Sequence, residues 1–218
     1  MKIFLIGATG GVGHRLLPLL HAMGHEVVGL HRKPEQSADI AKAGGIPVLG
    51  DIIDMTVDDL VVAGKGCNVI VFSAGAAGSG LDRTTAIDGD GPIKTIEAAK
   101  RLGISRFYLV SAFPEAGRQS DRNDRFEHYM AEKKRADVAV AASDLDWVIL
   151  RPGTLVHEDG NGKVALGPAV PYGDVARGNV ARVLAELIER PQIHREVLEL
   201  TDGATPAGEA VARLERNN

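Results

Sequence analysis

Short apolar runs alternate with amphipathic stretches along most of the chain. The runs fall at 2–6, 26–30, 46–49, 68–72, 106–110, 147–150 and 196–200. Most are unbroken Val, Ile, Leu and Phe, the pattern of a strand covered on both faces. Between them, apolar residues recur with helical spacing at 12–23, 34–43, 57–63, 92–102, 125–142 and 179–189. Strand–helix alternation repeated this often predicts an α/β fold, a doubly wound parallel sheet with helices on both faces. Gly24 is placed to end the first helix in a left-handed cap. Pro18 withholds the amide proton that the His14 carbonyl would accept, which predicts a mild kink. No repeat, low-complexity tract or linker interrupts the pattern, so residues 1–218 are expected to form one domain.

Composition narrows the class. The 218 residues include 26 glycines but only one Trp, three Tyr and five Phe, so the core must be aliphatic. A hydrophobic fraction of 44% with 25% charged residues is ordinary for a soluble globular protein. The formal net charge is −4, and the longest basic block is Lys133-Lys134-Arg135, so no basic face for nucleic acid is expected. One cysteine, Cys67, forms no internal disulfide and fits a reducing cytosol. The apolar run at 3–7 is too short for a signal-peptide core or a membrane span. The expected setting is cytoplasmic, with a small-molecule substrate, no membrane partner, and a monomer or homodimer.

Candidate chemistry begins at Gly7-Ala8-Thr9-Gly10-Gly11-Val12-Gly13, between the first strand and the first helix. Glycine is common enough here that the spacing alone carries little; the strand–turn–helix position carries the signal. One glycine permits the tight turn, one lets the backbone approach a diphosphate, and one lets helix and strand pack closely. The helix N-terminus then offers free amides and partial positive charge, so this loop is expected to bind a dinucleotide in a Rossmann-type fold. An acid at the end of the second strand would accept from the ribose hydroxyls of NAD. This chain has His31-Arg32-Lys33 there, with Arg32 nineteen residues past Gly13. Arg32 and Lys33 suit a 2′-phosphate and offer no acceptor to a free hydroxyl, which favours NADP(H); the competing reading is a solvated basic turn.

With these features the chain resembles the atypical short-chain dehydrogenase/reductases, the NAD(P)H-binding branch near NmrA-like and epimerase-like proteins. The resemblance spans nearly the whole sequence. It rests on the 7–13 loop, Val48-Leu49-Gly50-Asp51, Val71-Phe72-Ser73-Ala74-Gly75 and Ile96-Glu97-Ala98-Ala99-Lys100. It continues through Arg106-Phe107-Tyr108-Leu109-Val110-Ser111, Tyr129-x-x-x-Lys133 with Ala136-Asp137, and Leu150-Arg151-Pro152-Gly153. The resemblance implies that Asp51 accepts from the adenine amino group beside Ile52, and that Ser73, Ala74 and Gly75 line the adenosine side. It also implies that Arg151, Pro152 and Gly153 close on the nicotinamide.

Tyr129 and Lys133 are four apart on a predicted helix, hence on one face. A nearby ammonium favours the phenolate and is expected to bring the phenol's proton transfer closer to neutral pH. Ser111 ends a predicted strand, where it could bond a substrate carbonyl. In the family this Ser/Tyr/Lys set delivers a proton to a carbonyl as hydride arrives, and the lysine also holds the nicotinamide ribose. Ser111 and Tyr129 lie eighteen positions apart, a longer separation than is usual in the family, and Tyr129 could instead be a surface or cofactor-packing tyrosine. His21 and His25 lack third and fourth metal ligands nearby, Cys67 reads as packing, His128 as exposed, and His157 as a possible substrate contact.

Loops 75–83, 113–124 and 153–174 are expected to form the substrate side, with a small C-terminal substrate region too short for a sugar-nucleotide domain. Two readings follow. One is an NADPH-dependent oxidoreductase acting on a small carbonyl, quinone or flavin. The other is a non-catalytic NADP(H)-binding redox sensor acting through a protein partner.

Overall fold

β1 (Lys2–Ile6) shows why the apolar runs are continuous. Ile3 and Leu5 face one hydrophobic core, and Phe4 and Ile6 face another on the opposite side of the sheet. The same alternation recurs in β4 (Val69–Phe72), β5 (Arg106–Val110) and β6 (Asp146–Pro152), so consecutive residues must all be apolar. The computed structural model describes residues 1–114 and 124–215.

The remaining strands are β2 (Glu26–His31), β3 (Ile46–Leu49), β7 (Thr154–Val156), β8 (Lys163–Gly167), β9 (Asp174–Ala176), β10 (Glu196–Asp202) and β11 (Thr205–Pro206). Nine form one sheet in the order β11-β8-β10-β6-β5-β4-β1-β2-β3. Those from β3 to β10 run parallel in register, and β8 adds an antiparallel edge to β10. This is the expected doubly wound parallel sheet. The strand order reverses between β1 and β4, which leaves a crevice at their carboxyl ends.

Helices α1 (Gly13–Ala22), α2 (Ser37–Lys42), α7 (Arg177–Ile188) and α8 (Ala207–Ala212) cover one face through residues such as Leu16, Leu20, Ile40, Leu184 and Val211. The other face carries α3 (Val57–Ala63), α5 (Gly91–Leu102) and α6 (Asp124–Ala141), through Leu60, Ile96, Ala99 and Val140. Gly24 has φ +83°, and the amides of Gly24 and His25 cap the His21 and Leu20 carbonyls, as a left-handed cap requires. α1 runs unbroken through Pro18.

Three segments depart from expectation. The 34–43 stretch divides into a 3₁₀ turn (Pro34–Gln36) followed by α2. The glycine-rich tract after β4 contains α4 (Leu81–Thr84), which continues through a π-helical turn (Thr85–Asp90) into α5. The segment 153–174 is not an open loop: it forms β7, which pairs with β9 as a separate two-stranded sheet, and β8, which lies between β10 and β11 in the main sheet. These strands are short and only half-buried, so their sequence carries no continuous apolar run. Among the described residues, no helix is long and apolar enough to cross a membrane.

Leu20 is fully buried where α1 packs on the sheet. Leu20→Ala is expected to lower the unfolding free energy by about 2–5 kcal/mol, measured as a shift of the urea midpoint at unchanged slope.

Candidate functional site

The phosphate loop is shaped by close approach of backbone to backbone. Gly7 has φ +90°, and a side chain there would come within 2.6 Å of the Ala74 amide nitrogen at the end of β4. A side chain at Gly13 would collide with the Gly7 carbonyl, so α1 starts against the loop itself. The turn is closed by Gly10 N–H donating to the Gly7 carbonyl at 2.9 Å. The amides of Gly11, Val12 and Gly13 donate to no described backbone carbonyl, and Val12 provides no side-chain cap. They are left as donors at the start of α1, over the crevice.

A cleft of about 950 Å³ opens over this loop, within the range of ligand pockets. Its walls include Gly7, Thr9, Gly10, Gly11, Val12, Arg32, Asp51, Ile52, Ser73, Ala74 and Gly75. Arg32 is exposed at the rim, while Lys33 lies outside the wall, its amide donating to Gln36 Oε1. His31 is buried behind Arg32, its Nδ1 paired with the Lys33 carbonyl at 2.9 Å. Asp51 serves its own turn, with Oδ1 accepting from the Ile53 amide at 3.0 Å; its second oxygen makes no such bond. Ser73 Oγ donates to the Ile6 carbonyl, tying β4 to β1 at the switch point.

Ser111, Tyr129 and Lys133 reach the same cleft from β5 and α6. Lys133 is only 5% exposed. Its ammonium pairs with Asp88 Oδ1 at 3.0 Å, donates to the Val110 carbonyl at 3.2 Å, and lies 5.7 Å from the Tyr129 ring centroid. Burial works against the charge, but Tyr129, Asp88 and Asp137 outweigh it, and the Lys133 pKa is raised. Tyr129 departs from the expectation. Burial lifts its phenol above the ordinary value of 10.0, and the opposing pull of Lys133 is smaller. At neutral pH the residue is therefore the protonated phenol.

Asp88 is a site residue the sequence did not disclose. It sits in the π-helical turn, is fully buried, and its Oδ2 accepts from the Ala76 amide at 3.0 Å. It thus holds the glycine-rich wall 75–83 against Lys133. One turn past Lys133, Asp137 takes Arg151 Nε and Nη2 on one oxygen, each at 2.9 Å. Burial pushes the Asp137 carboxyl up, opposed by the Ser111 hydroxyl and by Arg151. Ser111 Oγ and Asp137 Oδ1 are nevertheless buried without a hydrogen bond of full geometry.

Other predicted positions lie elsewhere. Pro152 and Gly153 are not on the cleft wall; Gly153 donates to the Leu200 carbonyl, and Leu155 is the wall residue from that region. Wall 75–83 lines the cleft almost throughout. Of the predicted 113–124 loop, residues 115–123 lie outside the described residues. His157 is exposed, and its carbonyl faces Arg15. His25 bonds Glu189 at 2.7 Å. His128 is half-buried rather than exposed, its ring bonded to Thr85 Oγ1 at 2.8 Å. Burial raises the Cys67 thiol to about 11, which suits packing rather than nucleophilic chemistry.

Comparison with known proteins agrees with this geometry. A family profile described as NAD(P)H-binding matches residues 7–191. The chain is 37% identical to a Bacillus subtilis protein named an uncharacterized sugar epimerase, YhfK, covering 98% of this chain and 100% of that one. A Bacillus halodurans structure, provisionally named an NAD-dependent epimerase/dehydratase, superposes with a TM-score of 0.89 at 33% identity, covering 98% and 99% of the two chains. The structure of ChuY from Escherichia coli O157:H7, named an anaerobilin reductase, gives 0.77 at 28% identity over 93% and 97%.

Two outcomes are expected from the buried charges. Asp88→Ala strands the Lys133 ammonium and is expected to lower stability by about 3–5 kcal/mol; Asp88→Ala with Lys133→Met should lose less than the sum of the two single variants by urea denaturation. Folded-state pKa values of Tyr129 and Lys133 lie above the ordinary 10.0 and 10.5. Their stability contribution is thus complete below pH ~10 and lost as pH rises through the folded-state transitions. In an alkaline titration followed by ultraviolet absorbance, Tyr129→Phe should remove a phenol that ionises later than a free tyrosine.

Proposed function

The chain belongs to the NAD(P)H-binding family, and we propose that it is an NADPH-dependent reductase acting on a small carbonyl, quinone or flavin acceptor. The observation that carries this reading is convergence. A protonated Tyr129, a charged Lys133 and the Ser111 hydroxyl line one cleft with the free amides of the phosphate loop. The three-glycine cradle fits a diphosphate, and Arg32 at the end of β2, with no acid beside it, favours a 2′-phosphate over a free ribose hydroxyl.

A bound nicotinamide supplies the hydride. For a carbonyl acceptor, Tyr129 Oη gives its proton to the acceptor oxygen, and the Ser111 hydroxyl donates a hydrogen bond to that same oxygen. Lys133 stays charged and offsets the phenolate that Tyr129 becomes. It pairs with the Asp88 carboxylate and donates to the Val110 carbonyl, and its remaining donor capacity would hold the cofactor's ribose. The reductase name of the E. coli relative supports this reading. The sugar-epimerase name of the B. subtilis relative has less support, because segment 153–174 is spent on β7 and β8 rather than on a separate sugar-binding layer.

NADPH oxidation against a panel of quinones, flavins and aldehydes tests the proposal. Tyr129→Phe is expected to lower kcat for carbonyl acceptors by roughly 10²–10⁴-fold. Arg32→Ala should weaken NADPH about ten- to a hundredfold while leaving NADH unchanged. Tight NADPH binding without turnover of any acceptor would overturn the reductase and leave the redox-sensor reading.

A further inference from the structure

Arg177 is the first residue of α7, yet its side chain lies across the phosphate loop. A methyl group on Gly11 would come within 2.5 Å of Arg177 Cδ and 2.6 Å of Nε, so the guanidinium stem rests on that glycine. The residue lines the same cleft as the loop amides. Its Nη1 is buried without a hydrogen-bond partner. A guanidinium is charged at every physiological pH, and a buried donor left unpaired is destabilising, so this arrangement calls for an anion.

Among the described residues, no acidic side chain pairs with it. Asp159, across the loop, is engaged by Arg15 Nε at 2.7 Å, and Arg15 Nη1 also donates to the Gly11 carbonyl. The backbone on either side of Arg177 is fixed. Ala176 N–H donates to the Asp202 carboxylate, and Gly178 N–H donates to the Glu158 carbonyl at 3.1 Å. A side chain at Gly178 would collide with the Asp159 carbonyl, so only glycine lets α7 start this close to the Glu158-Asp159 backbone. The backbone that carries Arg177 is thus set before any ligand arrives, and its stem packs on Gly11.

We propose that Arg177 supplies the cationic contact to the diphosphate of the bound dinucleotide, complementing the uncharged amides of Gly11, Val12 and Gly13. The assignment rests on the dinucleotide reading above and extends it to a residue from the far end of the chain. The amides and the α1 terminus offer only partial charge. Arg32 sits at the rim, where it would meet the third phosphate. A planar fork matches phosphate oxygens in a way that a point charge does not.

Calorimetric titration of the intact protein with NADP⁺, ADP-ribose and 2′-AMP tests this, the last probe having a 2′-phosphate but no diphosphate. Arg177→Met is expected to weaken NADP⁺ and ADP-ribose about ten- to a hundredfold, to flatten the salt dependence of NADP⁺ binding, and to leave 2′-AMP unchanged. Arg177→Lys should fall between the two. Circular dichroism confirms that each variant is folded; if the methionine variant is not, the lysine variant carries the comparison. Equal NADP⁺ affinity in wild type and variants overturns the role of Arg177 alone, as does a loss shared equally by 2′-AMP. A wild type that binds neither NADP⁺ nor NAD⁺ overturns the dinucleotide reading itself, and this assignment with it.

Discussion

A buried ammonium must be compensated, and the compensation of Lys133 organises the cleft. Its partners come from three parts of the chain: Asp88 in the π-helical turn, the Val110 carbonyl at the end of β5, and the Tyr129 ring one turn earlier on α6. Asp88 spends its other oxygen on the Ala76 amide. One charge pair therefore locks the glycine-rich wall, the sheet and α6 into a single arrangement. Removing either partner leaves the other charged and dry, which destabilises far more than the pair itself stabilises. The π turn has a physical reason here: the extra residue per turn rotates Asp88 inward while Gly89 and Gly91 let the backbone close against α6 and Phe72.

How legible was this in the sequence? The seven parallel strands were, most plainly the central ones, because burial on both faces forces consecutive apolar residues in runs such as 69–72, bounded by turn residues. The phosphate loop was legible because Gly7 and Gly13 are demanded by backbone contacts rather than chosen for flexibility. The short strands β7, β8, β9 and β11 were not, since an edge or half-covered strand needs no continuous apolar pattern. Asp88 was hidden in a tract rich in Gly, Ser and Thr that reads as a loop. An acid between Ile87 and Gly89, just ahead of Asp90-Gly91-Pro92, was the available signal. Arg177 was hidden for another reason. Its proposed role depends on a contact with Gly11 from more than half a chain away, and no local spacing encodes that.

The protonation of Tyr129 shows where pairwise reasoning runs short. A lysine four residues along a helix does favour the phenolate, and that pull is present. Yet the same fold that brings Lys133 close also strips water from the phenol and sets Asp88 and Asp137 nearby. Burial is the largest influence, and it acts in the opposite direction to the lysine. Proximity of a cation and loss of solvent arrive together in a cleft, so their sum cannot be inferred from spacing.

This outcome bears on the direction of the chemistry. A phenolate would serve an enzyme that removes a proton from an alcohol, whereas a phenol serves one that delivers a proton to a carbonyl oxygen. In the proposed reductase, the cation that would stabilise the spent phenolate is already in place beside the Tyr129 ring and would need no rearrangement during the transfer. Asp88 keeps that cation charged throughout, because a buried lysine without a carboxylate would tend to release its proton instead. On the reductase reading proposed above, the buried pair that fixes the architecture would also hold the counter-charge for the phenolate that proton delivery leaves behind.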